Sequence, residues 1–301
     1  MSNDSVNQDQ HPEELKPEDW AGEMGLKWLA SLSLFEEMIA PIGDALLARA
    51  DYQDGETVID LGCGGGATTL AIASAIAPSG KVMGVDISPD LVAASQKRAT
   101  KAGMANIDFT CADASTVKLP DAPYDRLFSR FGSMFFEDPV SAFSNLHGLV
   151  REGGRIDLAI WGPPRDNLWM MEMMGVVRNH VEVPPAVPRA PGPFAFEDLE
   201  YFGEIMDGSG FTNVDVIAYE GLQPVGGVGA TPEQAVAFAF SALAVGRLLS
   251  DKGDAIFAAA SKELTDVFAR HHVPGKGGMM QGKGAVKAKW LISQGAAIWP
   301  V

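Results

Sequence analysis

Cysteine is scarce: Cys63 and Cys111 are the only two in 301 residues. They supply neither a disulfide framework nor a zinc set, so both read as small apolar filler. Basic charge is scarce too. Lys and Arg number 23 against 39 Asp and Glu, a formal net charge of −16 with a pI near 4.6. Such a surface excludes nucleic acid as a partner, because its phosphates demand cations. No apolar run approaches the roughly 18 residues of a membrane span. Residues 1–16 are polar and lack periodicity, which predicts a disordered tail rather than a basic-then-apolar leader. The expectation is a cytoplasmic protein without a membrane partner. No internal repeat is found. The adjacent His271 and His272 point to different sides of the chain and lack further ligands, so no metal site is expected.

What the chain has is 47% hydrophobic residues, enough for one large core with inserts, and one stretch around which the rest is organised. Thr57-Val58-Ile59-Asp60-Leu61 reads as a buried strand, and Gly62-Cys63-Gly64-Gly65-Gly66 as the turn into a helix. Glycine tolerates positive φ and has no Cβ, so the backbone of such a turn can approach a ligand closely. A second strand, Val82 to Asp86, ends in an acid 20 residues past the last glycine, where a ribose diol would meet a carboxylate. Taken alone, Gly62-x-Gly64-x-x-Ala67 also satisfies the dinucleotide fingerprint. Asp60 separates the two cofactor classes. An anion two residues before the first glycine suits a sulfonium or ammonium, whereas a pyrophosphate there would be repelled.

Asp60-Leu-Gly-Cys-Gly-Gly-Gly66, Val85-Asp86-Ile87-Ser-Pro and Cys111-Ala-Asp113-Ala114 together resemble the class I S-adenosylmethionine-dependent methyltransferases. The closest flavour is the ubiquinone/menaquinone methyltransferase-like small-molecule group. The resemblance implies an α/β, doubly wound Rossmann-like sheet of seven strands with an antiparallel last strand, plus helical cap and lid insertions. It implies S-adenosylmethionine as cofactor, a small-molecule acceptor with an O, N, C or S nucleophile, in-line displacement of the methyl group and release of S-adenosylhomocysteine. Cofactor-binding positions carried over are Asp60, Gly62, Gly64, Gly66, Asp86, Ile87 against adenine, Asp113 and Ala114 at the adenine amino group, and Ser129 and Arg130 beside the methyl group. Alternatives are an NAD(P)-dependent oxidoreductase and a non-catalytic S-adenosylmethionine-binding protein.

The remaining chain divides by pattern. Residues 17–50 carry apolar positions at helical spacing and read as a two-helix cap, with Pro41 as the break and Trp28 facing the methionine moiety or the acceptor. Residues 51–301 form the core, interrupted by lid insertions at about 162–196 and 222–282. The first insertion holds a Met- and Trp-rich helix, Leu168 to His180. The second holds a capping box at Thr231 to Gln234 and an apolar helix, Ala235 to Leu249. These apolar faces serve either an acceptor ceiling or a homodimer. Substrate-binding candidates are Trp28, Phe131, Trp161 and Trp169. Asn167 and His180 are the catalytic candidates, no general base is assigned, and His147 is expected on a helix surface.

Overall fold

The computed structural model describes residues 17–272 and the backbone of 287–297. The expected tail and part of the 222–282 insertion lie outside them. Three helices precede the sheet: α1 (Pro17–Ala21), α2 (Glu23–Ala30) and α3 (Leu32–Ala50). The chain then alternates through β1 (Thr57–Leu61), α4 (Ala67–Ala75), β2 (Lys81–Asp86), α5 (Pro89–Lys101), β3 (Ile107–Cys111), β4 (Tyr124–Arg130), α6 (Pro139–His147) and β5 (Val150–Trp161). Beyond it come α7 (Leu168–His180), α8 (Leu199–Gly208), β6 (Phe211–Leu222), α9 (Pro232–Ala242), α10 (Ala244–Leu249), α11 (Asp254–His271) and β7 (Lys287–Ala297).

The strands order as β3-β2-β1-β4-β5-β7-β6. The first five run parallel, and β7 is antiparallel to both of its neighbours. This is the Rossmann-like sheet with helices that the strand-turn-helix unit predicts. Helix starts follow local chemistry. Ser88, Asp138 and Thr231 each accept a backbone N–H with the side chain, and each is followed by proline at the first helical position.

Strand register fixes which side chains share a face. Asp60 pairs with Phe128, so Asp60, Arg126, Phe128 and Arg130 point to one side. On that side Asp60 meets α4 and Arg130 meets α3 at Gly43. Helices α6 and α8 pack against each other, and Phe143 of α6 meets Phe211 of β6 edge-on at 6.4 Å. The two expected insertions meet each other, since α7 packs on α10 and α11, and α11 on α9.

Three expectations are corrected. The N-terminal run breaks at Gly22 and Ser31, and Pro41 lies inside α3, so there are three helices in place of two. The apolar run after Thr231 is two helices, α9 and α10, hinged at an extended Leu243. The return after that hinge needs glycine, because a Cβ on Gly246 would overlap the Phe240 carbonyl oxygen. His147 is buried, with its ring edge-on to Phe211 at 5.1 Å, and does not lie on the surface.

Candidate active site

The site begins where β1 ends. Gly62, Gly64 and Gly66 hold φ of +65°, +53° and +80°, a backbone that side chains with a Cβ adopt only with strain. The turn is also crowded. A Cβ on Gly62 would sit 2.7 Å from the Gly132 Cα, so the loop leaving β4 presses directly on it. The Gly62 and Cys63 N–H groups both donate to the Val85 carbonyl, at 2.8 and 3.1 Å, which ties the turn to the end of β2.

Two carboxylates flank the turn in different ways. Asp86 accepts the Gly64 N–H at 2.8 Å on one oxygen and the Ser88 N–H at 2.9 Å on the other. Each oxygen therefore keeps lone-pair capacity for a further donor. Burial raises its pKa, opposed by the backbone N–H groups of Ser88, Gly64 and Ile87. Asp60 is buried and accepts the hydroxyls of Thr68 at 2.8 Å and Thr69 at 2.6 Å, so it pins the first turn of α4. Burial pushes it up to about 6, against the pull of Thr69, Thr68 and Arg130 and with a further push from Asp86. Asp60 is thus first a structural anion, hydrogen-bonded within the fold, and its charge is felt at the turn from beneath.

The other positions separate into cleft and strut. Ile87, Asp113 and Ala114 are half-buried beyond β2 and β3, and Asp113 accepts the Ser115 N–H at 2.8 Å in a local turn. Ser129 is fully buried and its hydroxyl donates to the Leu61 carbonyl at 2.9 Å, which makes it a brace between β4 and β1. Arg130 faces a cavity of about 240 Å³ between α3 and α4, lined also by Glu36, Asp44 and Thr68. Burial pulls its guanidinium below the ordinary value while Asp60, Glu36 and Asp44 hold it up.

The N-terminal helices cover the turn. The Trp28 Nε1 lies 3.9 Å from where a Gly64 Cβ would be, and Leu32 and the Glu36 carboxylate come within 3 Å of the same point at Gly65. Gly25 of α2 sits against the Ser88 hydroxyl. Glu36 forms a two-armed ion pair with Arg98 of α5, at 2.7 and 2.9 Å, which fastens α3 across the turn. Trp28 stacks flat on Phe35, centroids 3.8 Å apart.

Past β4 an aromatic wall follows. Phe131 takes a φ of +64° and stacks on Trp161 at 4.4 Å, and Trp161 in turn meets Trp169 at 5.4 Å. Trp169 is 4% exposed and belongs to the core. The α7 face that carries it is turned inward, onto Trp161. Asn167 is fully buried and donates both amide hydrogens' worth of bonding to its own loop, to the Gly162 and Pro163 carbonyls at 3.0 Å. His180 is paired with Glu263 of α11 at 2.9 Å, and a second pair, Glu172 with His271 at 2.8 Å, joins the same two helices. Asn167 is therefore fastened to its loop and His180 to α11. The Glu36–Arg98 clamp and the two His–Glu pairs were missed by pattern reading, because nothing local marks partners so far apart in sequence.

Comparison with known proteins agrees with this geometry. Residues 58–154 match the methyltransferase domain family, which bears out the resemblance of the glycine-turn unit to class I S-adenosylmethionine-dependent methyltransferases. The chain is 32% identical over 120 residues to aklanonic acid methyltransferase DauC of Streptomyces sp. (strain C5), covering 40% of this chain and 54% of the relative. It is 26% identical over 110 residues to demethylmenaquinone methyltransferase of Geobacillus sp. (strain WCH70), covering 36% and 47%. The chain spans about half the length of the curated relatives it matches. Its fold is similar to that of Haemonchus contortus phosphoethanolamine N-methyltransferase 2, solved with S-adenosyl-L-methionine, with a TM-score of 0.56, 16% identity and coverage of 95% of this chain and 60% of that one.

Proposed function

We propose that this protein transfers the methyl group of S-adenosylmethionine to a small-molecule acceptor. The observation that carries the reading is the turn itself: three glycines at positive φ, with Asp86 hydrogen-bonded to the turn and a methyltransferase domain match spanning both. The residues fit the cofactor. The Asp86 oxygens have capacity left for a ribose diol, the turn offers backbone without Cβ atoms, and Asp60 and Asp86 place negative charge where a sulfonium is favoured and a pyrophosphate repelled. Arg130 lines a cavity beside the first turn of α4, where its guanidinium, held charged by Asp60, Glu36 and Asp44, can meet a ligand carboxylate.

When bound, S-adenosylmethionine supplies an electrophilic methyl carbon whose bond to sulfur breaks as the acceptor atom bonds to it, the electron pair staying on sulfur. The chain's own residues bind, orient and exclude water. Asp86, Ile87, Asp113 and Ala114 hold the adenosine end, and Gly62, Gly64 and Gly66 let it approach the backbone. Arg130 receives the amino-acid end. Residues 17–50 act as the cap, and α7 with α9–α11 forms one helical layer that bounds the acceptor side. Among the described residues no three His, Cys, Asp or Glu side chains group as a metal site. Among the described residues no helix is long and apolar enough to cross a membrane.

A labelled methyl-transfer screen over phenols, quinones, amino acids and thiols tests the reading, with calorimetric titration of S-adenosylmethionine and NAD beside it. Binding of the first and turnover with one acceptor class are expected. Binding of NAD alone would turn the reading into that of an oxidoreductase, and binding without turnover into that of a cofactor-binding protein.

A further inference from the structure

A second cavity, of about 200 Å³, lies between α2 and the hinge that joins α9 to α10. Its walls are of two kinds. The inner wall is aromatic and apolar, made by Trp28, Phe35, Phe240 and Leu243. The rim is basic, made by Lys27 and Arg247, in a chain with only 23 Lys and Arg against 39 Asp and Glu. No Asp or Glu lines this cavity, whereas Glu36, Glu37 and Asp44 line the one at Arg130.

The two cations are not equally engaged. Lys27 is held by Glu23, one turn away on the same helix, at 2.5 Å. Arg247 has no carboxylate within ion-pair distance among the described residues, and its guanidinium lies 3.3 Å from the Met24 sulfur. Glu23 is the acid that feels both cations, its pKa lowered by Lys27 first and more weakly by Arg247. It stands outside the cavity lining, so one positive charge on the rim is left over.

Position adds the rest. Trp28 forms a wall of this cavity and also stands over the glycine turn, its Nε1 3.9 Å from the place of a Gly64 Cβ. A molecule seated against Trp28 is separated from the turn by one indole. The hinge that opens the space is specific to this chain's packing, since the close return of α10 onto Phe240 is allowed only by Gly246.

We propose that this cavity is a ligand site beside the glycine turn, and that its ligand is a flat apolar molecule carrying an anionic group, such as an aromatic carboxylate. The ring lies against Trp28 and Phe240, and the anion meets Arg247 and Lys27 at the rim. This binding chemistry stands independently of the methyl-transfer reading above.

The test is calorimetry on the full chain with two probes that share a ring and differ in charge, naphthoate and naphthalenemethanol. Naphthoate is expected to bind about tenfold more tightly, the scale of one charge-assisted contact. Arg247→Gln should remove that advantage and leave the alcohol unchanged. Ala242→Trp, which fills the cavity, should abolish binding of both probes while circular dichroism and thermal melting show a folded protein. Equal affinity for the two probes, full naphthoate affinity in Arg247→Gln, or no binding of either probe to folded protein overturns the proposal. Titration with S-adenosylhomocysteine keeps the two ideas apart. If it binds and naphthoate does not, the cavity proposal fails and the methyl-transfer reading stands; if naphthoate binds through Arg247 and the nucleoside does not bind, the reverse holds.

Discussion

At the glycine turn the polar contacts run between groups close in the fold's first strand-helix-strand unit: Thr68 and Thr69 to Asp60 across eight and nine residues, Gly64 to Asp86 across 22. Across the cap and the helical insertions they run between side chains far apart in the chain. Glu36 reaches Arg98 over 62 residues, His180 reaches Glu263 over 83, and Glu172 reaches His271 over 99. In the turn, backbone conformation dictates the residue, because positive φ and a crowded Cβ position admit little but glycine. In the cap and the insertions, apolar helix faces decide only that packing occurs, and the partner is chosen by ion pairs at the rims. The turn is therefore built to be rigid, and the cap to be fastened at a few points.

Breaking the apolar seam of the first insertion should have the largest effect. Trp169 is buried against Trp161 and among the core side chains. Trp169→Ala should destabilise the fold by about 3–5 kcal/mol, the usual cost of emptying a large aromatic site. Urea denaturation checks it. A loss under about 1 kcal/mol would show that α7 is loosely seated.

The turn's own weak point is Asp60. Its pKa is raised from 3.8 to about 6, so the fold prefers the protonated carboxyl. The associated stability is complete below about pH 4 and is lost as pH rises through 6, on the order of 3 kcal/mol in all. Asp60→Asn keeps an oxygen for the two threonine hydroxyls and removes the titration. Its stability relative to wild type should therefore improve by about that amount between pH 4 and pH 7. A difference that stays flat across this window would mean that Asp60 is not the titrating group.

The cap's fastening should give the smallest effect. The Glu36–Arg98 pair is partly exposed, with 18% and 35% of the two side chains accessible, and solvent screens it. Glu36→Gln is expected to cost about 0.5–1 kcal/mol in stability. Because the pair holds α3 over Gly65, the same change should speed release of S-adenosylhomocysteine in stopped-flow displacement. An unchanged release rate would separate the clamp from access to the turn.

How much of this could be read from sequence follows the same division. The strand Ile107–Cys111 and the helix Leu168–His180 lie where pattern alone places them, as do the helix starts at Ser88, Asp138 and Thr231. Proline misled at position 41, where packing of Met38, Ile39, Ile42 and Leu46 keeps α3 continuous through the lost hydrogen bond. The break within 232–249 was hidden because both halves are apolar and the hinge depends on a contact between Gly246 and Phe240. At the site, the glycines, Asp60 and Asp86 were legible because their spacing encodes backbone geometry. Ser129 as a strut, Asn167 as a loop brace and His180 as an ion-pair partner were not, since each role is set by a neighbour that periodicity does not reveal.

The central claim is that Asp86 and the glycine turn hold the adenosyl cofactor. Calorimetric titration of S-adenosylhomocysteine into wild type and Asp86→Ala tests it most directly. One site per chain is expected in wild type, with affinity lowered by about 1.5–3 kcal/mol in the variant, roughly ten- to a hundredfold. Equal affinity in a folded Asp86→Ala protein, or no binding to wild type, would contradict the account.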